Sequence, residues 1–187
     1  MATTDFHLRR LSTTDLSAAD VAAIRAILDA AFDGDDPDER FTEDDWQHGL
    51  GGVHVVLDVA GEIVAHGAVV ERSLHVAGRP LRTGYVESVA TAPERQGRGY
   101  GTAVMRDVGV IIAAGYELGA LGTGRHAFYQ RLGWRTWRGP MSVRTPSGDQ
   151  PTPDENGDLL VLRTPATPPD LDESSPISCE WRPGDVW

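Results

Sequence analysis

Six residues, Gln96-Gly97-Arg98-Gly99-Tyr100-Gly101, carry the strongest chemical signal in this chain. They follow a strand-like run, Tyr85 to Thr91, and precede an apolar, helix-competent stretch, Thr102 to Ala114. Alternating glycines let the backbone turn tightly and let a ligand approach closer than a Cβ permits. Their N–H groups then lie at a helix N-terminus, where unpaired donors and the dipole favour an anion. The expected ligand is a phosphate or pyrophosphate, with Arg98 as an added positive charge. A P-loop needs a Gly-Lys-Ser/Thr ending, and no lysine stands near these glycines. A dinucleotide fingerprint needs a different spacing of its third glycine and an early βαβ context. The plainer alternative is a glycine-rich turn.

Carboxylates supply the second signal. Glu87 is the only acidic residue in the Tyr85–Thr91 run, and such a group is expected to face a cleft or a cation. It would act as a base through a bridging water, or simply anchor an ammonium. An edge-strand charge in solvent is the competing reading. From Asp33 to Asp45, eight of thirteen residues are acidic, and only Arg40 offsets them. The chain ends Trp181-Arg182-Pro183-Gly184-Asp185-Val186-Trp187, which sets Asp185 and a terminal carboxylate beside two tryptophans. Aromatic faces can cover a sugar ring while carboxylates meet its ammonium groups.

Whole-chain charge agrees with a cationic ligand. The formal net charge is −11 and the isoelectric point is near 4.8, which disfavours nucleic acid and anionic membrane surfaces. A length of 187 residues suits a single domain, 1–187. One cysteine, Cys179, excludes an internal disulfide and a thiolate zinc site, and the six histidines lack metal spacing. No metal is expected. No Gly-x-Ser-x-Gly elbow is present for a hydrolase. His54 and His66 fall in strands and read as satisfied core or cleft residues. Neither a signal-peptide pattern nor an apolar run of ~18 residues is visible, so the expected location is the cytoplasm.

The elements that must position these groups follow from pattern. Phe6 to Leu11 alternates as a strand. Ser17-x-x-Asp20 has capping-box spacing ahead of Val21, Ile24, Leu28 and Ala31 at helical intervals. Thr42-x-x-Asp45 repeats the signature before a short helix carrying Trp46, which Gly51-Gly52 ends. Strands are expected over Val53–Val59 and from Ile63 to about Leu74. A turn at Gly78-Arg79-Pro80 leads to a third. After the glycine loop come a helix, a strand Glu117–Leu121, a short helix Arg125–Leu132 and a strand starting at Trp134. Pro140 to Asp158 reads as a long loop. Leu159–Leu162 and Ile177–Trp181 complete the strands, with a loop at Pro165–Pro176 between them.

The Gln/Arg-x-x-Gly-x-Gly/Ala pattern between strand and helix resembles the pyrophosphate loop of the GCN5-related N-acetyltransferases (GNAT). The element order β-α-α-β-β-β-α-β-α-β-β is also theirs. The resemblance implies an α+β fold: a mixed, mostly antiparallel, splayed sheet flanked by helices. Asp45-Trp46, Leu50-Gly51-Gly52-Val53-His54, Gly84-Tyr85-Val86-Glu87-x-Val89-Ala90, Tyr116-x-Leu118-Gly119-Ala120-Leu121, Gly133-Trp134 and the tail are similar to the mycobacterial aminoglycoside 2′-N-acetyltransferases. The likeness runs nearly end to end.

That resemblance implies acetyl-CoA as co-substrate and an aminoglycoside as acceptor. Cofactor contacts fall on Val89, Ala90 and Thr91 along the strand edge and on Gln96, Gly97, Arg98, Gly99, Tyr100, Gly101 and Thr102 around the loop. Glu87 becomes a water-mediated base. Tyr129, in Phe128-Tyr129-x-x-x-Gly133-Trp134, becomes the acid that protonates the departing thiolate, with packing on a helix face as its alternative role. Asp35, Asp45, Glu87, Thr123, Asp185 and the Trp187 carboxylate hold the aminoglycoside. A homodimer is implied. Three departures stand out: an insertion-like stretch Asp36–Arg40, a shortened Gly122–His126 loop, and Glu180 where the tail motif has Asp. Two rivals stay open: transfer to another cationic amine such as a polyamine, and a non-catalytic acyl-CoA- or drug-binding module.

Overall fold

A computed structural model describes residues 6–34 and 40–187. The chain forms two compact units. One comprises the chain up to Val70 with Val86–Val108, and the other Glu71–Tyr85 with Gly109–Trp187.

In the first unit β1 (Phe6–Ser12) pairs antiparallel with β2 (Val53–Val59), and β2 pairs antiparallel with β3 (Glu62–Val76). Ala60 and Gly61 join β2 to β3 with φ of 54° and 83°. Two successive positive φ values give the turn whose twist suits a two-residue hairpin. Helix α1 (Ala18–Ala31) starts on the expected box, with Ser17 accepting from the Asp20 N–H and Asp20 accepting in return. Asp20 also meets Arg9 Nη2 at 2.9 Å, and Arg9 Nε meets Asp58 at 2.7 Å, so β1, α1 and β2 share one arginine. The Ser17 hydroxyl and then Arg9 hold the Asp20 carboxyl down at about 2. Ile24, Ile27 and Leu28 of α1 pack with Trp46, Val56, Ala90 and Ala92.

Helix α2 (Glu43–His48) opens on the second predicted box, Thr42 with Asp45. It ends earlier than the sequence suggested. Gly49 is the C-cap, and only Gly51 behind it takes positive φ, at 87°. From Val64 to Val70 every residue of β3 is buried, the mark of a strand covered on both faces. Helix α3 (Tyr100–Gly115) follows β4 (Arg79–Thr91) through the glycine loop, and its first turns belong to this unit.

The second unit contains the remainder of β3 and β4, joined by Ala77 and Gly78 at φ of 48° and 79°. The expected turn at Gly78-Arg79-Pro80 is thus displaced, and Arg79 and Pro80 already lie in β4. Strand order is β6-β9-β5-β4-β3-β10-β7-β8, formed with β5 (Leu118–Gly122), β6 (Arg135–Thr136), β7 (Met141–Thr145), β8 (Gly148–Pro151), β9 (Leu159–Arg163) and β10 (Ile177–Glu180). Pairs β4–β5 and β10–β7 are parallel and the other recorded pairs antiparallel. Gly84 and Gly119 face the end of α3 and the residue just past it: a Cβ would come within 2.8 Å of Tyr116 and 3.0 Å of Ile112 respectively. Helix α4 (His126–Gln130) is short.

The stretch Pro140–Asp158 is not the plain loop its composition implied. It holds the β7–β8 hairpin and a 3-10 turn at Pro153–Glu155. Met141 and Val143 point inward because β10, arriving from far along the chain, supplies a partner edge. Strand β8 carries no large apolar side chain and is fully exposed, so only its pairing with β7 defines it.

Candidate active site

In the first unit the glycine loop runs directly from β4 into α3. Gly97 and Gly99 take φ of 74° and 85°, and a Cβ at either would meet no atom within 4 Å. The conformation demands glycine, not crowding by the protein itself. The Gly99 carbonyl accepts from the Ala103 N–H at 3.0 Å, which starts the helical ladder there. Helix α3 therefore begins at Tyr100, two residues before the sequence reading. Gly101 lies in its first turn and is not among the positive-φ glycines. The leading N–H groups of α3 project where the backbone is barest, a geometry fit for a diphosphate.

Side chains around the loop divide by burial. Gln96 and Arg98 are exposed, Thr102 is half-buried, and Gln96 Nε2 donates to the Thr91 carbonyl at 3.3 Å. Tyr100 is buried edge-on to Phe6. Ala90 is buried in the core with Ile24 and Trp46, whereas Val89 and Thr91 are half-buried. Tyr100 and Ala90 can therefore serve a ligand only through their backbones.

Glu87 is half-buried on β4. Beside it Ser88 has φ of 54°, the single non-glycine residue with positive φ inside a strand among the described residues. A serine held there costs about 1–3 kcal/mol. Burial changes at the kink: Thr83 to Val86 are all buried before it, whereas Glu87, Ser88 and Val89 are half-buried. Asp45 is half-buried, and its Oδ2 accepts from the Thr42 N–H and hydroxyl, both at 2.8 Å. Capping thus occupies one of its oxygens. Asp35 lies outside the described residues.

In the second unit Tyr129 sits on α4, buried and edge-on to Trp134 with ring centroids 6.3 Å apart. Burial pushes its phenol up to about 12, against a smaller opposing pull from Arg125. Thr123 is half-buried just past β5, accepting from the Arg125 N–H at 3.0 Å. The Trp187 backbone lies beside Gly122, where a Cβ would stand 3.4 Å from the Trp187 carbonyl carbon. Structure thus brings Thr123 and Trp187 to the carboxyl end of β5.

The tail is folded back on itself. Asp185 is exposed and accepts from the Trp187 N–H at 3.0 Å, and Arg182 Nη2 donates to the Trp187 oxygen at 3.3 Å. The two terminal-segment tryptophans differ. Trp187 is buried, its indole donating to Thr152 at 2.9 Å, while Trp181 is 60% exposed. Only Trp181 therefore offers an open aromatic face. Arg72, missed in the sequence reading, fixes this segment. It is 4% exposed, lies 4.6 Å over the Tyr85 ring, and donates to Glu180 at 2.9 Å and to the Val186 carbonyl at 2.9 Å. Its signal was present: Arg72 shares the period-2 face of Val70, Leu74 and Val76. Glu180 also faces Arg144 at 3.6 Å. Cys179 is fully buried, with its thiol pushed up to about 11 by burial, which makes it packing and not a nucleophile.

A strand that kinks and runs into a glycine loop opening a helix, within an α+β mixed sheet, defines a class. The acetyltransferase (GNAT) domain model matches residues 12–137, and the chain belongs to the GNAT acetyltransferases. More particularly, it is 40% identical over 187 residues to an aminoglycoside 2′-N-acetyltransferase of Mycolicibacterium fortuitum, covering 97% of this chain and 92% of the relative. Two solved structures share the fold. A GNAT family N-acetyltransferase (YhbS) from Escherichia coli, in complex with CoA, matches at TM-score 0.66 and 16% identity over 96% of this chain and 92% of its own. A GNAT family acetyltransferase from Brucella melitensis, in complex with acetyl-CoA, matches at TM-score 0.60 and 17% identity over 93% and 95%. The chain spans about a third of some larger matches: it covers 34% of a GCN5-related N-acetyltransferase from Kribbella flavida, at TM-score 0.58, 20% identity and 73% of this chain.

Proposed function

We propose that the chain moves the acetyl group of acetyl-CoA to the 2′-amino group of aminoglycosides, and so confers resistance by modifying the drug. The supporting observation is the near-full-length 40% likeness to a 2′-N-acetyltransferase, joined to a left-handed Gly97/Gly99 loop at the start of α3. The N–H groups from Gly97 to Thr102 hold the pyrophosphate, with Arg98 adding charge. Backbone groups of Val89, Ala90 and Thr91 pair with the pantetheine amides as an added strand would. The thioester supplies an activated acetyl carbon. The unprotonated 2′ nitrogen forms its bond to that carbon as the C–S bond breaks. Glu87 takes the amine proton through a water, and Tyr129 gives its proton to the sulfur. A phenol held near 12 is fully protonated at neutral pH and is ready to donate.

Asp35, Asp45, Thr123, Asp185 and the Trp187 carboxylate grip the remaining ammonium and hydroxyl groups, leaving the 2′ nitrogen facing the thioester. The protein acts as one domain, as a homodimer, in the cytoplasm. Among the described residues no helix is long and apolar enough to cross a membrane. A panel assay with acetyl-CoA, aminoglycosides and polyamines tests the reading. Tobramycin and gentamicin, which carry a 2′-amino group, should be acetylated there by mass spectrometry and NMR. Kanamycin A and amikacin, with a 2′-hydroxyl, should not turn over. Acetylation at another nitrogen, or preferred turnover of a polyamine, overturns it.

A further inference from the structure

The kink at Ser88 needs a cause that its own side chain does not supply. Ser88 Oγ is buried and makes no hydrogen bond among the described residues. The two other non-glycine residues with positive φ among the described residues, Ala60 and Ala77, sit in hairpin turns, where the chain reversal itself sets the conformation. Ser88 sits inside β4, directly between Glu87 and Val89.

Its carbonyl is the end of a chain of hydrogen bonds that runs through two buried histidines. The Gly51 N–H donates to Thr13 Oγ1 at 2.8 Å, and Thr13 Oγ1 meets His54 Nε2 at 2.9 Å. His54 Nδ1 meets His66 Nε2 at 2.9 Å, and His66 Nδ1 meets the Ser88 oxygen at 2.7 Å. A carbonyl only accepts, so His66 donates from Nδ1 and, being neutral, accepts at Nε2. His54 must then donate from Nδ1 and accept at Nε2 from the Thr13 hydroxyl. Every link has one direction. Both imidazoles are fully buried, and burial holds both well below the usual histidine value. Because the chain ends on a carbonyl that takes no proton onward, it is a strut and not a proton relay.

We propose that His54 and His66 are positioning residues for acyl transfer: their one-way hydrogen-bond chain holds the Ser88 carbonyl inward, keeps Ser88 left-handed, and so aims Glu87 and the Val89 backbone on either side of it. This rests on the roles given above to Glu87 and Val89. Helix α2 closes the other side of the kink, since a Cβ on Gly49 would stand 3.0 Å from Ser88 Oγ. The glycine loop is shaped by its own φ values and by the first turn of α3, so loss of the strut should fall more on kcat, through Glu87 and the aim of Val89, than on KM for acetyl-CoA.

The experiment compares wild type, His66→Leu and the double variant His66→Leu/Ser88→Gly. Steady-state kinetics should show His66→Leu losing about tenfold or more in kcat while KM for acetyl-CoA rises by a smaller factor. Glycine keeps positive φ without support, so adding Ser88→Gly should recover most of the lost kcat, a rescue that repacking a core cavity would not produce. Carbon-13 shifts of Ser88 should carry the left-handed signature in the wild type and lose it in His66→Leu. The proposal is overturned if His66→Leu keeps its kcat, if the glycine gives no rescue, or if the Ser88 shifts are unchanged. Should the wild type acetylate no aminoglycoside, the functional reading falls, and the Ser88 shifts alone decide for or against the strut.

Discussion

Tyr129 and the His54–His66 pair are shifted chiefly by the same force, burial, which favours the neutral form of each. For Tyr129 the neutral form is the proton-bearing one. A free phenol titrates near 10, and this one near 12, so the acid is intact throughout the stable range of most proteins. Activity should therefore rise with pH as the substrate amine deprotonates and then level off, with no alkaline decline owed to Tyr129. Tyr129→Phe should lower kcat by about 10²-fold, the usual scale for losing a general acid, with little change in aminoglycoside affinity. A kcat within about twofold of wild type would instead assign Tyr129 to packing against Trp134 and the sulfur's proton to solvent.

At the scale of elements, the loop before α3 separates two glycines from a third. Gly97 and Gly99 have left-handed backbones that a branched residue resists, while Gly101 is an ordinary first-turn position. Gly99→Val should weaken acetyl-CoA binding through both strain and lost approach, and Gly101→Val should do so less, through bulk alone. Calorimetry on folded variants measures the difference. Equal affinity in Gly99→Val and wild type would remove the loop from the cofactor site.

Across the whole molecule, the buried histidine pair couples folding to pH. Their folded pKa values lie below the unfolded value of about 6.5. Stability is thus fully present above that pH and is lost as pH falls towards the folded values. Each histidine should remove about 1.4 kcal/mol per pH unit below 6.5. His75, held down by partial burial and by Arg144, adds in the same direction. Urea unfolding followed from about pH 7.5 to 5 should show this fall, and His66→Leu should flatten it by roughly one proton. A wild-type profile level over that window would mean that the pair is solvated when folded. A net charge of −11 also predicts that KM for a polycationic drug rises with salt.

Sequence by itself determined what is local or strictly periodic. Both capping boxes, Ser17 with Asp20 and Thr42 with Asp45, were legible because a cap is complete within four residues. Strand β2 matched its expected bounds because alternation and the Ala60-Gly61 turn are written side by side. The glycine loop was legible as a loop, although its division into left-handed and helical glycines was not. Only the tertiary structure decided features whose partners are far along the chain. The β7–β8 hairpin exists because β10 supplies an edge, and the carboxyl end is set by Arg72, 114 residues from Val186. The left-handed Ser88 depends on Thr13, His54 and His66, which three separate segments bring into one line. A hydrogen bond between segments leaves no spacing rule in either one. It becomes visible only when packing removes water and forces each buried polar group to find its partner.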